Sequence, residues 1–166
     1  MNSSGMSSSG ISSSGVHGFW LADSAIDATA FRQQLEDERC GACVIFEGWV
    51  RNHNEGRAVL RLVYEAHAPI ALKEGGIILQ EAMQRFAISK AADVHRQGEL
   101  GLTEAAVVVG VTSAHRDAAF LACRYIIDEI KHRLPIWKKE YYADGSAEWV
   151  NCQQCADPHA HRATPA

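Results

Sequence analysis

The sequence predicts an α+β domain, a mixed sheet with two main helices and a C-terminal hairpin. Three observations carry this. Residues 105–112, AAVVVGVT, are a near-continuous apolar run, as in a central strand covered on both faces. Phe120, Cys123, Ile127, Ile130 and Leu134 recur at spacings of three and four, the pattern of one buried helical face. IWKKEYY and AEWV flank ADGS, the pattern of a hairpin.

The remaining elements follow in chain order. Residues 1–17 open with a Ser/Gly-rich tract that buries too little apolar surface to offset the entropy of ordering, so they are expected to be a disordered tail. The folded domain is expected over 18–151, with an irregular tail over 152–166. Residues 24–38 suggest a short amphipathic helix capped by Ser24, with Ile26, Ala30, Phe31 and Leu35 inward. Residues 41–51, GACVIFEGWVR, predict a strand with Val44, Phe46 and Val50 on one face and Trp49 and Arg51 together on the other. NHNEG follows as a turn-rich loop. Residues 58–66 predict a second strand with Leu60, Leu62 and Tyr64 on one face.

Pro69 suits the first turn of a helix running to about Ile88, with Ala71, Ile78, Ala82 and Phe86 inside. Gly75 and Gly76 weaken that helix, and close packing would explain them. ADVHR at 92–96 predicts a strand and QGELGLTE a turn. The long helix is expected over about 116–133, stopping before Pro135.

Composition narrows the function. A chain of 166 residues with 47% apolar and 22% charged residues builds one cored domain. A net charge of −4 argues against general nucleic-acid binding. No apolar run reaches the ~20 residues of a membrane span, and the N-terminus lacks a signal-peptide pattern. Five cysteines, an odd number, suit a reduced, cytoplasmic protein.

Against this acidic background the cations around the long helix stand out. His115 and Arg116 sit at its start, where free N–H groups and the dipole favour an anion and a guanidinium adds bidentate recognition. The alternative is a solvated helix start. Lys131 lies in the last turn, where a cation is also favourable for structural reasons. Lys138 lies beside Trp137 on an extended segment; a lysine crowded by cations or desolvated can act as acid, base or nucleophile, but a bare one is more often surface. Arg51 precedes a loop and is either a ligand or an edge-strand charge.

Cys152, Cys155, His159 and His161 form a C-x2-C-x3-H-x-H cluster able to hold zinc, though it has no second half-site and lies in a short tail. Cys40, Cys43 and Cys123 are expected to be small core residues, and His53, His67 and His95 loop or surface residues.

GACVIFEGWVRNHNEG, LVYEAH, HRQGEL, VGVTSAHRDAAFLAC, IKHRLPIWKKE and EWV occur in this order over about Cys40 to Val150. Together they resemble the MoaE family, the large catalytic subunits of molybdopterin synthase. The resemblance implies an α/β-hammerhead fold that dimerises, each copy binding a small ubiquitin-like sulfur-carrier subunit to give a heterotetramer. It implies that the partner's C-terminal Gly-Gly, as a thiocarboxylate, enters a pocket and delivers sulfur to cyclic pyranopterin monophosphate. It implies catalytic roles for Lys131 and Lys138. It implies substrate-binding roles for Trp49, Val50, Arg51, His115, Arg116, Lys131, Lys138, Lys139 and Glu140. The site would be shared across the dimer, and the reaction requires no metal or cofactor of the chain's own. The competing reading is a non-catalytic adaptor that holds a ubiquitin-like tail; it would need the tail groove but no phosphate site.

Overall fold

A computed structural model describes residues 17–150. The elements are β1 His17–Ala22, α1 Ala28–Gln34, β2 Ala42–Trp49, β3 His53–Asn54, β4 Arg57–Ala66, α2 Ala68–Arg85, β5 Lys90–Arg96, β6 Gly98–Gly101, β7 Ala105–Ser113, α3 Arg116–Arg133, β8 Ile136–Tyr142 and β9 Ala147–Val150.

The first sheet has the order β1-β5-β7-β2. β1 runs parallel to β5, and the other pairs are antiparallel. The apolar run of β7 is buried from its second residue onward, as its composition requires. Helices α2 and α3 cover one face, through Ala71, Ile78, Ala119, Cys123 and Ile126. The short α1 covers the other, where Phe31 and Leu35 meet Ala92, Val94 and Val108. Two glycines permit this closeness. A Cβ on Gly110 would lie 2.2 Å from Leu35, and one on Gly75 2.2 Å from the Phe19 ring. Gly76 faces open space, so close packing explains only the first of the glycine pair.

The second sheet has the order β3-β4-β8-β9, with β6 also paired to β4. It stands beside the C-terminal end of α3, since only Leu134 and Pro135 separate that helix from β8.

Several expectations change. The helix cap is Asp27, whose carboxylate accepts from the Ala30 N–H at 2.9 Å, and not Ser24. Helix α2 ends at Arg85, because Phe86 is already extended. The stretch expected as a turn after Arg96 contains β6, which pairs with Arg61–Tyr64 of β4. The sequence pattern shows no strand at β1, which lies against β5, a partner far along the chain.

Leu60 is exposed while Leu62 and Tyr64 are buried, because a register shift between Val59 and Arg61 breaks the alternation. Phe120 is 61% exposed, because Ala119, Ala122 and Ile126 complete the buried stripe of α3 and leave Phe120 beside it. Cys43 is exposed and Cys40 half-buried; Cys123 alone of the three is core. Among the described residues no helix is long and apolar enough to cross a membrane.

Candidate active site

A cavity of about 760 Å³ opens where the two sheets and the end of α3 meet. Each side of it has a local cause. A register shift between Gly48 and Trp49 ends β2. It turns Val50 into the core, at 2% exposure, and leaves Trp49 outside at 62%. Arg51 follows at the rim. The chain then reverses through Glu55 and Gly56, both at positive φ, so that β3 pairs with the start of β4. On the opposite wall Lys131 comes from the last turn of α3, and Pro135 redirects the chain so that β8 brings Lys138 and Glu140 to the same cavity.

Two of the cations, Lys138 directly and Arg51 through Asn54, are organised by one buried carboxylate. Glu140 is 2% exposed. Its Oε1 pairs with Lys138 Nζ at 3.0 Å. Its Oε2 accepts from Asn54 Nδ2 at 2.9 Å and from Tyr142 OH at 2.7 Å. Burial pushes the Glu140 carboxyl up, but Tyr142, Lys138 and Asn54 together outweigh it and hold the group below its ordinary range. Burial, with the same contact, pushes the Tyr142 phenol up to about 12. Asn54 Oδ1 in turn accepts from Arg51 Nη2 at 3.1 Å.

His95 forms part of the cavity wall from β5 and is buried, not the surface residue the sequence suggests. Its Nδ1 lies 2.8 Å from the Arg96 carbonyl. That oxygen can only accept, so Nδ1 carries the proton and Nε2 is left as an acceptor. Burial pushes the imidazole down to about 4, and the Lys131 charge works in the same direction. His95 is therefore a neutral group near Lys131 at physiological pH, with its ring edge-on to Tyr64 at 5.0 Å between centroids.

Of the residues expected in the site, Trp49, Val50, Arg51, Lys131, Lys138 and Glu140 meet in this cavity. Lys139 alternates to the outer face of β8, where its ammonium lies 5.5 Å from the Tyr141 ring and 5.7 Å from the Trp149 ring. His115 and Arg116 are exposed at the start of α3, about 24 Å along the helix from Lys131 at 1.5 Å per residue. One chain does not bring them to this cavity.

Asn54, Tyr142 and His95 are the site residues that sequence reasoning passes over. The NHNEG loop hides Asn54 as a turn residue, and nothing in its sequence marks the contacts it makes across the fold. The HRQGEL stretch gives no sign that its histidine faces inward. The cysteine and histidine cluster at 152–161 lies outside the described residues. Among the described residues no three His, Cys, Asp or Glu side chains are grouped to hold a metal.

The family described as MoaE protein matches residues 21–133. The chain belongs to the MoaE family. It is 49% identical over 109 residues to a molybdopterin synthase catalytic subunit of Thermoplasma volcanium, covering 66% of this chain and 80% of that one. It is 42% identical over 139 residues to the Synechococcus elongatus protein of the same description, covering 82% and 84%. The crystal structure of molybdopterin synthase from Staphylococcus aureus is similar at a TM-score of 0.73 and 34% identity, over 78% of this chain and 94% of that one. MoaE membership agrees with the α+β architecture.

Proposed function

We propose that this chain is the catalytic subunit of a molybdopterin synthase, moving sulfur from the thiocarboxylated C-terminus of a small ubiquitin-like subunit to cyclic pyranopterin monophosphate and so building the dithiolene. The observation that carries the reading is the convergence of Arg51, Lys131 and Lys138, from three separate elements, on one cavity. Membership of the MoaE family supports it independently.

The chemistry needs anion binding and charge stabilisation. The thiocarboxylate is an anion, and so is the substrate's cyclic phosphate. The thiocarboxylate sulfur bonds to a carbon of the pterin side chain, displacing an oxygen there and giving a thioester. Water then adds to the carbonyl carbon of the partner's terminal glycine, negative charge collects on its oxygen, and the carbon–sulfur bond breaks to leave a carboxylate on the partner. A nearby ammonium stabilises that charge, and Lys131 is assigned this role. Lys138, fixed by Glu140, assists as acid or base. The nucleophilic sulfur belongs to the partner, so the buried Cys123, whose thiol burial pushes up to about 11, has no part in the step.

His115 and Arg116 are assigned to the pocket of a second copy in a homodimer, at the centre of a heterotetramer. Cys40, Cys43 and Cys123 are free thiols, which supports a cytoplasmic setting.

Reconstitution tests this. The chain is mixed with a thiocarboxylated small subunit and cyclic pyranopterin monophosphate, and the dithiolene pterin is read by the fluorescence of its oxidised derivative. Product is expected from the wild type, and at least about 100-fold less from Lys131→Ala. A stable complex with the small subunit that makes no product would instead favour the adaptor.

A further inference from the structure

Arg51, in the loop between β2 and β3, and Lys138, on β8, reach the cavity from different segments, yet they are mechanically connected. The connection runs Arg51 Nη2 to Asn54 Oδ1 at 3.1 Å, Asn54 Nδ2 to Glu140 Oε2 at 2.9 Å, and Glu140 Oε1 to Lys138 Nζ at 3.0 Å. Asn54 is the hinge of this chain. It is buried, and both ends of its amide are used in opposite senses, accepting on one side and donating on the other. Its place is fixed by backbone: Asn54 pairs with Arg57 across the tight turn, and the Val59 N–H donates to the Asn52 carbonyl at 2.9 Å.

We propose that Asn54 is a positioning residue that sets the spacing of Arg51 and Lys138, and thereby matches the cavity to a ligand with two separate anionic groups. This rests on the function proposed above, in which those groups are a cyclic phosphate and a thiocarboxylate.

The two partners of Asn54 would respond differently to its loss. Glu140 keeps Tyr142 on the same oxygen and Lys138 on the other, so its carboxylate stays held. Arg51 is exposed, and Asn54 is the side chain it hydrogen-bonds among the described residues. An exposed arginine carries large rotamer freedom, which one bond to a rigid acceptor restrains before the ligand arrives. Loss of Asn54 therefore releases Arg51 more than it disturbs Glu140. Tyr142 offers the matched control: its hydroxyl donates to the same Glu140 oxygen but has no bond to Arg51.

Two readouts separate positioning from support. The first is steady-state kinetics of the reconstituted complex. Asn54→Ala should raise the KM for the pterin about tenfold with a smaller fall in kcat, and Tyr142→Phe should raise it by less than about threefold. Adding Asn54→Ala to Arg51→Ala should change KM no further, since the restrained group is gone. The acid limb of the rate profile should also move to higher pH in Asn54→Ala, because Glu140 loses one donor that keeps it ionised. The second readout needs no activity: nitrogen-15 NMR of the Arg51 guanidinium, whose rotation should be slow in the wild type and in Tyr142→Phe and fast in Asn54→Ala.

Asn54→Asp serves if the alanine variant does not fold, because it keeps the shape. It retains the acceptor for Arg51 and sets a second carboxylate against Glu140, so slow rotation should persist while kcat falls. Equal KM effects from Asn54→Ala and Tyr142→Phe, additivity with Arg51→Ala, or fast Arg51 rotation already in the wild type would overturn the proposal. A wild type that makes no product is a separate failure, that of the proposed reaction; the NMR result still decides the role of Asn54.

Discussion

The two ends of α3 carry similar side chains in different surroundings. At the C-terminal end, Lys131 enters a cavity walled by two sheets, while Arg133 turns to α2 and binds Glu81 at 2.6 Å and Glu74 at 3.0 Å, with Glu129 at 3.4 Å. At the N-terminal end, His115 and Arg116 stand in solvent. The helix dipole favours cations at the first of these ends and disfavours them at the second, by about 0.3–1 kcal/mol at exposed sites. Lys131 and Arg133 thus sit where stability alone would put a cation. His115 and Arg116 sit against the dipole, eased only by Asp117 in the first turn. A pair placed at a cost to its own helix is what an anionic ligand at that end would explain, and the homodimer proposed above would supply one from the pocket of a second copy.

Mixing two defective chains tests this contrast with the largest effect. Lys131→Ala and Arg116→Ala should each make little product alone. If the pocket takes Lys131 from one copy and Arg116 from the other, each mixed dimer regains one intact site out of two. Random re-pairing of equal amounts then restores about a quarter of the wild-type rate. A mixture no more active than its parents would confine each site to one chain, and an Arg116→Ala chain as active as the wild type would leave the pair without a role.

The second test stays within the last turn of α3. Arg133 differs from Lys131 by two positions and faces carboxylates in place of a cavity. Hydrogen bonds from Arg133, and from Tyr125, hold Glu81 below its ordinary range, and Arg133 is itself held further above its own. Arg133→Met should cost about 1–2 kcal/mol, discounted for partial exposure. The rate of the reconstituted complex at 25 °C should be unchanged. The sign with pH follows from Glu81. A carboxylate whose pKa is lowered by folding stabilises above its unfolded value of 4.5 and loses that contribution as pH falls through the folded one. The melting temperatures of variant and wild type should therefore converge in acid. Loss of activity without loss of stability would instead place Arg133 in the site.

The same contrast shows what was legible in the sequence. α3 and β7 are read off with bounds close to those observed, because each obeys one period over its whole length: three-and-four spacing in the helix, unbroken burial in the strand. The strands that border the site, one from each sheet, break their period. β2 and β4 each carry a register shift; alternation rightly separates Val50 from Trp49 but places Leu60 inside where it is exposed. β1 and β6 are short strands whose reason to exist is a distant partner. The cations of the cavity are visible as charges, and the resemblance to MoaE names them. The neutral groups that orient them are not visible, because Asn54, Tyr142 and His95 gain their meaning from contacts across the fold. His95 in particular differs from a surface histidine only through its burial.

The smallest effect concerns the middle of α3, between the two ends. Asp93 projects from β5 beneath the helix, fully buried, and neither carboxylate oxygen has a hydrogen-bond partner. Burial pushes its carboxyl well up, and the Lys131 charge only partly opposes this. The unfolded chain ionises such a group above about 3.8 while the folded chain keeps it protonated, so Asp93 subtracts more stability as pH rises. Asp93→Val replaces an unpartnered polar group with an apolar, β-branched side chain suited to a central strand. The variant should melt a few degrees higher at pH 7.5, and the gain should shrink as pH falls towards 4. A lower melting temperature at pH 7.5 would mean that Asp93 has a stabilising partner in solution. Lys131, the one cation its carboxyl senses, would then be tied to the sheet below as well as open to the cavity above.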